Sequence, residues 1–114
     1  MSTPELGPSA PAAARAELRR SLDLLVDRIR AMPLSRLERA PEGAGTTRAA
    51  AVGAAAQRLA DLAAAAEGRP RRELPGLATH GLGDQLAVVG GDALTHGAPS
   101  ADVETVLVGL RRSL

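Results

Sequence analysis

Apolar side chains recur along this chain at helical intervals and nowhere alternate as a strand requires. Between Ala12 and Ala31, Leu18, Leu22, Leu25, Ile29 and Met32 follow one another at spacings of 4, 3, 4 and 3. That spacing places them on one helix face, close to a coiled-coil seam. The other face carries Arg15, Arg19, Arg20, Asp23, Asp27 and Arg30. Arg19–Asp23 and Asp27–Arg30 are spaced to pair within the helix, each for ~0.2–0.5 kcal/mol. Pro33 biases Met32 away from helical backbone and stops the segment.

Leu34 to Arg39 predicts a short second helix with Leu34 and Leu37 on one side, followed by a loop through Pro41, Gly43 and Gly45. The next helix runs from Thr46 or Thr47 as N-cap to about Glu67, with Gly68 as its stop and Pro70 beyond. It is dominated by alanine, the strongest helix former, and its larger apolar residues are only Val52, Leu59 and Leu62. Such a slim helix is expected inside a bundle, touching more than one neighbour.

Residues 68–81 form a break longer than the roughly 2–8 residues usual between bundle helices. Leu74 and Leu77 are expected to pack it down. Leu82, Leu86, Val89 and Ala93 then mark a helix to about His96, with Gly90-Gly91 inside it. Each interior glycine costs roughly 1 kcal/mol against alanine. Close backbone contact with the Ala-rich helix is the expected compensation. Gly97 and Pro99 end this segment. Ser100 is the expected N-cap of a last helix whose apolar face is Val103, Val106, Leu107, Leu110 and Leu114. Asp102 and Glu104 begin it and Arg111 and Arg112 end it, the signs the helix dipole favours.

The pattern therefore predicts an all-α fold, an antiparallel bundle of four main helices plus one short helix. Residues 1–10 are expected to be a disordered tail and residues 11–114 a single helical domain.

Composition narrows this picture. Of the 114 residues, 24 are Ala and 17 Leu; Phe, Trp, Tyr and Cys are absent, and all 14 basic residues are Arg. An aromatic-free, Ala-rich core gains less per residue than a Leu/Phe core, a deficit that a homodimer would relieve. Lack of cysteine removes disulfides, thiolate metal sites and cysteine nucleophiles. Arg in place of Lys, with abundant Ala, matches the codon bias of a high-GC genome. Net charge is +1, but residues 1–72 carry 12 Arg against 8 acids and residues 73–114 carry 2 Arg against 5. Packing the two halves together, or two chains head to tail, is electrostatically favourable. No apolar run approaches the roughly 18 residues of a membrane span, and the N-terminus has neither the basic start nor the apolar stretch of a secretory signal. A cytoplasmic protein is expected.

Candidate chemistry is sparse. His80 and His96 sit in a small repeat, Thr79-His80-Gly81 and Thr95-His96-Gly97. Across a helix they stand about 24 Å apart, too far to share one metal within a chain. A site between chains survives that argument. The loop Glu42-Gly43-Ala44-Gly45-Thr46-Thr47 opens a helix, the geometry that cradles phosphate, but it lacks the Lys and the preceding strand of a P-loop. Arg69, Arg71 and Arg72 form the densest basic cluster and are the candidate contact to an anion or partner, with Glu67 and Glu73 diluting the field. No aromatic ring is present on which bases could stack. Asp84 and Asp92 lie about 12 Å apart along one helix and are not a carboxylate pair. No motif marks a catalytic nucleophile, and neither cofactor nor metal is expected.

Residues 71–92, from Arg71-Arg72-Glu73-Leu74-Pro75-Gly76 through Thr79-His80-Gly81 to Val89-Gly90-Gly91-Asp92, resemble a segment of small uncharacterised helical proteins from high-GC bacteria. The resemblance covers about a fifth of the chain and implies no activity. The first expectation is thus a non-enzymatic protein–protein interaction module that self-associates through apolar helix faces. Its candidate interface is Leu18, Leu22, Leu25 and Ile29 on the first helix with Val103, Leu107 and Leu110 on the last. The alternative is an accessory nucleic-acid or nucleotide binder using Arg69, Arg71 and Arg72, joined by Arg15, Arg19 and Arg20. A small all-α enzyme stands third.

Overall fold

The computed structural model describes residues 10–114. The expected tail therefore lies, up to residue 9, outside the described residues. The chain folds into α1 (Ala10–Ala31), α2 (Leu34–Leu37), α3 (Arg48–Glu67), a 3-10 turn (Thr79–Gly81), α4 (Leu82–Thr95) and α5 (Ser100–Arg112), with no strand among the described residues. The all-α bundle of four long helices plus one short one is thus what the sequence forms.

Local chemistry sets the ends. The Thr47 hydroxyl accepts from the Ala50 N–H at 3.1 Å and caps α3. Gly68 ends α3 in the left-handed region at φ 69°, which lets the Arg69 N–H reach back to the Ala64 carbonyl at 2.8 Å. Ser100 is not the cap of α5. It is the first helical residue, Pro99 stands before it, and the Pro99 carbonyl takes the N–H groups of Asp102 and Val103. With φ already near −60°, proline launches the helix without a side-chain cap.

The helices are not all antiparallel to their neighbours. Arg15 at the start of α1 donates to the Leu94 and Ala98 carbonyls at the end of α4, and Arg30 at the end of α1 meets Asp84 at the start of α4. Those two helices run in opposite senses. The 96–99 connection is short, so α5 turns back beside α4. Arg48, at the start of α3, donates to the Leu114 carbonyl beyond the end of α5, so α3 opposes α5. It follows that α3 and α4 are parallel, and the C-terminal ends of both meet where His96 contacts Glu67 at 3.2 Å. Two parallel neighbours need a return connection along their whole length, which explains the long break at 68–81.

That connection is a strap fastened by side chains. The Gln57 amide donates to the Arg72 carbonyl (2.9 Å) and accepts from the Leu74 N–H (2.8 Å), gripping the extended backbone at two points, as a neighbouring strand would. Gln85 donates to the Pro75 carbonyl, and Arg71 pairs with Asp61 at 2.9 Å. Leu74 packs against the core, whereas Leu77, expected to do the same, is about half exposed. Leu34 likewise stays exposed while its helix mate Leu37 is buried. Gln57→Ala is expected to speed amide exchange at Leu74 by roughly tenfold, the loss of about one hydrogen bond, without unfolding the bundle. Hydrogen exchange followed by mass spectrometry checks this.

One hydrophobic core runs between the long helices, with no buried polar side chain among the described residues. Leu18, Leu22, Leu25 and Ile29, joined by Val26, line it from α1. Val52, Leu59 and the inward alanines line it from α3, and Val103, Val106, Leu107 and Leu110 from α5. As expected, α3 touches several partners: α2, α4 and α5.

The glycines of α4 do not serve the Ala-rich helix. A β-carbon at Gly90 would stand 2.7 Å from a methyl of Leu22, one at Gly83 would meet Arg30 and Ile29, and one at Gly91 would meet Arg19. All three open α4 toward α1. The reason is complementarity of volume: α1 presents the large side chains and needs small ones opposite, while alanines on α3 leave no such demand. Arg30 pairs across to Asp84, and neither Arg19–Asp23 nor Asp27–Arg30 forms an ion pair among the described residues.

Candidate functional site

The seven apolar residues expected to form an interface, Leu18, Leu22, Leu25, Ile29, Val103, Leu107 and Leu110, are all buried within this one chain's own core. Leu18, Leu25 and Leu107 reach the surface only at the wall of one crevice between α1 and α5. The exposed apolar side chains are others. Leu24 is 70% exposed and Val88 63%.

Leu24 forms one lip of a crevice of about 160 Å³ between α1 and α5. Its walls are Leu18, Ser21 and Leu25 from α1 and Leu107 and Val108 from α5. Helical geometry explains why adjacent leucines part company: Leu25 follows Leu24 by 100° of rotation, enough to carry one side chain into the core and leave the other at its edge. Charges are distributed unevenly along this crevice. Glu104 lies at the end nearer the start of α5, and Arg28 and Arg111 at the end nearer its finish. Exposed Glu17 precedes Ser21 by four residues and Leu24 by seven, so it shares their face at the Glu104 end. The result is an aliphatic slot with carboxylates at one end and guanidinium groups at the other.

The basic cluster read from the sequence is largely engaged internally. Arg69 donates to Glu67 and Arg71 to Asp61, while the guanidinium of Arg72 has no partner among the described residues. Arg15 is committed to the carboxyl end of α4. The hydrogen bond from Arg69 holds the Glu67 carboxyl below the usual carboxylate range, and the same bond raises Arg69.

His80 and His96 lie at opposite ends of α4, and no group of three or more His, Asp or Glu side chains suited to a metal ion occurs among the described residues. The glycine-rich loop borders an open groove of about 610 Å³ between α3 and α5, floored by Ala51, Ala54, Ala55 and Leu110 and edged by Arg58 and Arg112. No helix is long and apolar enough to cross a membrane among the described residues.

Leu24, Val108 and Arg28 were not singled out by sequence reasoning, and Glu104 and Arg111 only as charges that suit the dipole of the last helix. The signal was present in one respect: Leu24 falls outside the 4-3-4-3 seam, an aliphatic residue left on a charged face. What the sequence lacked was the pairing of α1 with α5 that turns this residue into the lip of a slot. Family models, curated proteins and solved structures were all compared with this chain, and none matches.

Proposed function

We propose that this protein is a non-enzymatic protein–protein interaction module that self-associates through the crevice between α1 and α5. The observation that carries the reading is the exposed Leu24 at the edge of an aliphatic slot whose two ends bear opposite charge. A two-fold axis across the slot reverses the second copy. Glu17 and Glu104 of one copy then face the partner's Arg28 and Arg111, and Leu24 of each copy meets the slot of the other. Such an arrangement is complementary to itself in both shape and sign. It also enlarges the apolar surface buried by a chain without aromatic residues.

The test is the mass in solution, measured by light scattering with refractive-index detection because the chain has no Trp or Tyr to absorb at 280 nm. Twice the monomer mass is expected. Leu24→Asp is expected to weaken association by roughly 30-fold or more, the effect of losing a central apolar contact. Its helical circular dichroism stays unchanged, since the side chain is already in water. Glu104→Arg weakens association by like-charge contact, and adding Arg111→Glu restores it. A wild type that is monomeric at every concentration overturns the reading.

A further inference from the structure

We propose that the hollow beneath the 68–81 strap, between the later turns of α3 and α4, is a binding site for a small aliphatic α-amino acid. This proposal is independent of the crevice, with which the hollow shares no residue.

Three stretches of chain build it. On α3, Ala60, Ala63 and Ala64 are spaced by three and four residues and share one face. Their side chains are single methyl groups, and a hollow of about 170 Å³ remains above them. On α4, Val89 and Asp92 are three residues apart and line the same hollow. The strap crosses as extended chain, in which successive side chains alternate in direction. Arg71 is committed to Asp61, with Glu73 on its side of the strap. Arg72 and Leu74 share the other side, and both line the hollow.

The floor is aliphatic: Ala63, Ala64 and Val89 are buried, and Leu74 is half-buried beside them. Opposite charges stand on different walls. Arg72 on the strap and Asp92 on α4 both border the hollow, yet neither side chain has a hydrogen bond or ion pair among the described residues. Arg69 adds a second guanidinium on the strap side and is held there by Glu67. Positive charge therefore lies on the strap and negative charge on α4.

The chemistry of the walls selects the ligand. A guanidinium fork matches a carboxylate, Asp92 matches an ammonium group, and the floor accepts an aliphatic side chain. An amino acid answers all three at once. A plain carboxylic acid leaves Asp92 without a partner, and a plain amine leaves Arg72 without one. The volume equals that of about six water molecules at about 30 Å³ each, which suits valine or leucine and excludes a nucleotide.

Isothermal titration calorimetry of the whole protein with L-valine and with L-leucine tests the proposal. Saturable binding is expected, with a dissociation constant of about 0.1–1 mM for so small a ligand. Isovalerate and isobutylamine, which are valine without its ammonium and without its carboxylate, are each expected to bind at least about tenfold more weakly, the effect of losing one charge-assisted hydrogen bond. Arg72→Ala and Asp92→Asn should each weaken L-valine by at least about tenfold. Both side chains are exposed, so circular dichroism should report an unchanged fold. Absence of heat from both amino acids up to about 10 mM, equal affinity for isovalerate or isobutylamine, or unaltered binding by either variant would each overturn it. Failure here leaves the mass measurement standing, and the reverse holds too.

Discussion

Leu22→Asp is expected to abolish the cooperative helical fold. The side chain is 1% exposed and lies between α1 and α4, against Gly90. A carboxylate there has no cation within the core, since no buried side chain is polar. Burying an unpaired charge costs several kcal/mol, and the lost apolar contacts of leucine add about 2–5 kcal/mol. Domains of this size are stable by about 5–15 kcal/mol in total. The sum removes most or all of that margin. Circular dichroism at 222 nm should show a largely unfolded chain at 25 °C or a melting midpoint lowered by tens of degrees. Two residues further on, Leu24→Asp leaves the same signal intact. A native-like melting curve for Leu22→Asp would mean that α1 does not pack on α4 as described.

Gly90→Leu is the second large effect, and its neighbour makes the control. A β-carbon alone at Gly90 would come within 2.7 Å and 2.8 Å of both methyls of Leu22. Leu22 is itself enclosed and has nowhere to retreat. A leucine at this position drives α1 and α4 apart, at a cost of about 3 kcal/mol from overpacking, against a gain of about 1 kcal/mol in helix propensity. At Gly91 the balance reverses. The nearest atom is a terminal nitrogen of Arg19 at 3.3 Å, on a flexible side chain that can move aside. Gly91→Ala therefore keeps the propensity gain and is expected to stabilise by up to about 1 kcal/mol. Thermal melts of the two variants should shift in opposite directions. A shared direction would refute the assignment of these glycines to different environments.

These two neighbours show what was legible in the sequence and what was not. Periodicity located α1, α4 and α5, because the seam Leu18, Leu22, Leu25 and Ile29 and the face Val103 to Leu110 obey the geometry of a single rod, while alanine content and the flanking Thr47 and Gly68 located α3. The glycine pair was recognisable as a close approach. Its partner was not, since periodicity says which side of a helix is inward and nothing about which neighbour waits there. Gly83 and Gly90, seven residues apart, form a groove for the bulky residues of α1, and that fact depends on the arrangement of helices. The same limit applies to the candidate site. Reading apolar faces as interfaces selected residues that the chain buries in its own core, of which Leu18, Leu25 and Leu107 still wall the crevice, and passed over Leu24 and Val108 beside them. Glu67, two residues before Arg69, was legible as its neighbour, but Arg71 looked available because its carboxylate partner is near only in space. Asp61 precedes Arg71 by ten residues, and only the folded strap brings them together.

The parallel course of α3 and α4 carries a consequence for how this gene can vary. A hairpin loop can shrink to a few residues; this one must travel back beside a helix of 14 residues, about 21 Å, at no more than about 3.6 Å per residue. Roughly six residues are thus a minimum, and the span holds more than twice that number. Short deletions and insertions there are absorbed as slack. Once the span is pulled taut, a further deletion leaves the chain no route to its present topology. The last two helices would have to reverse, and the glycines of α4 would lose the leucine they were shaped to receive.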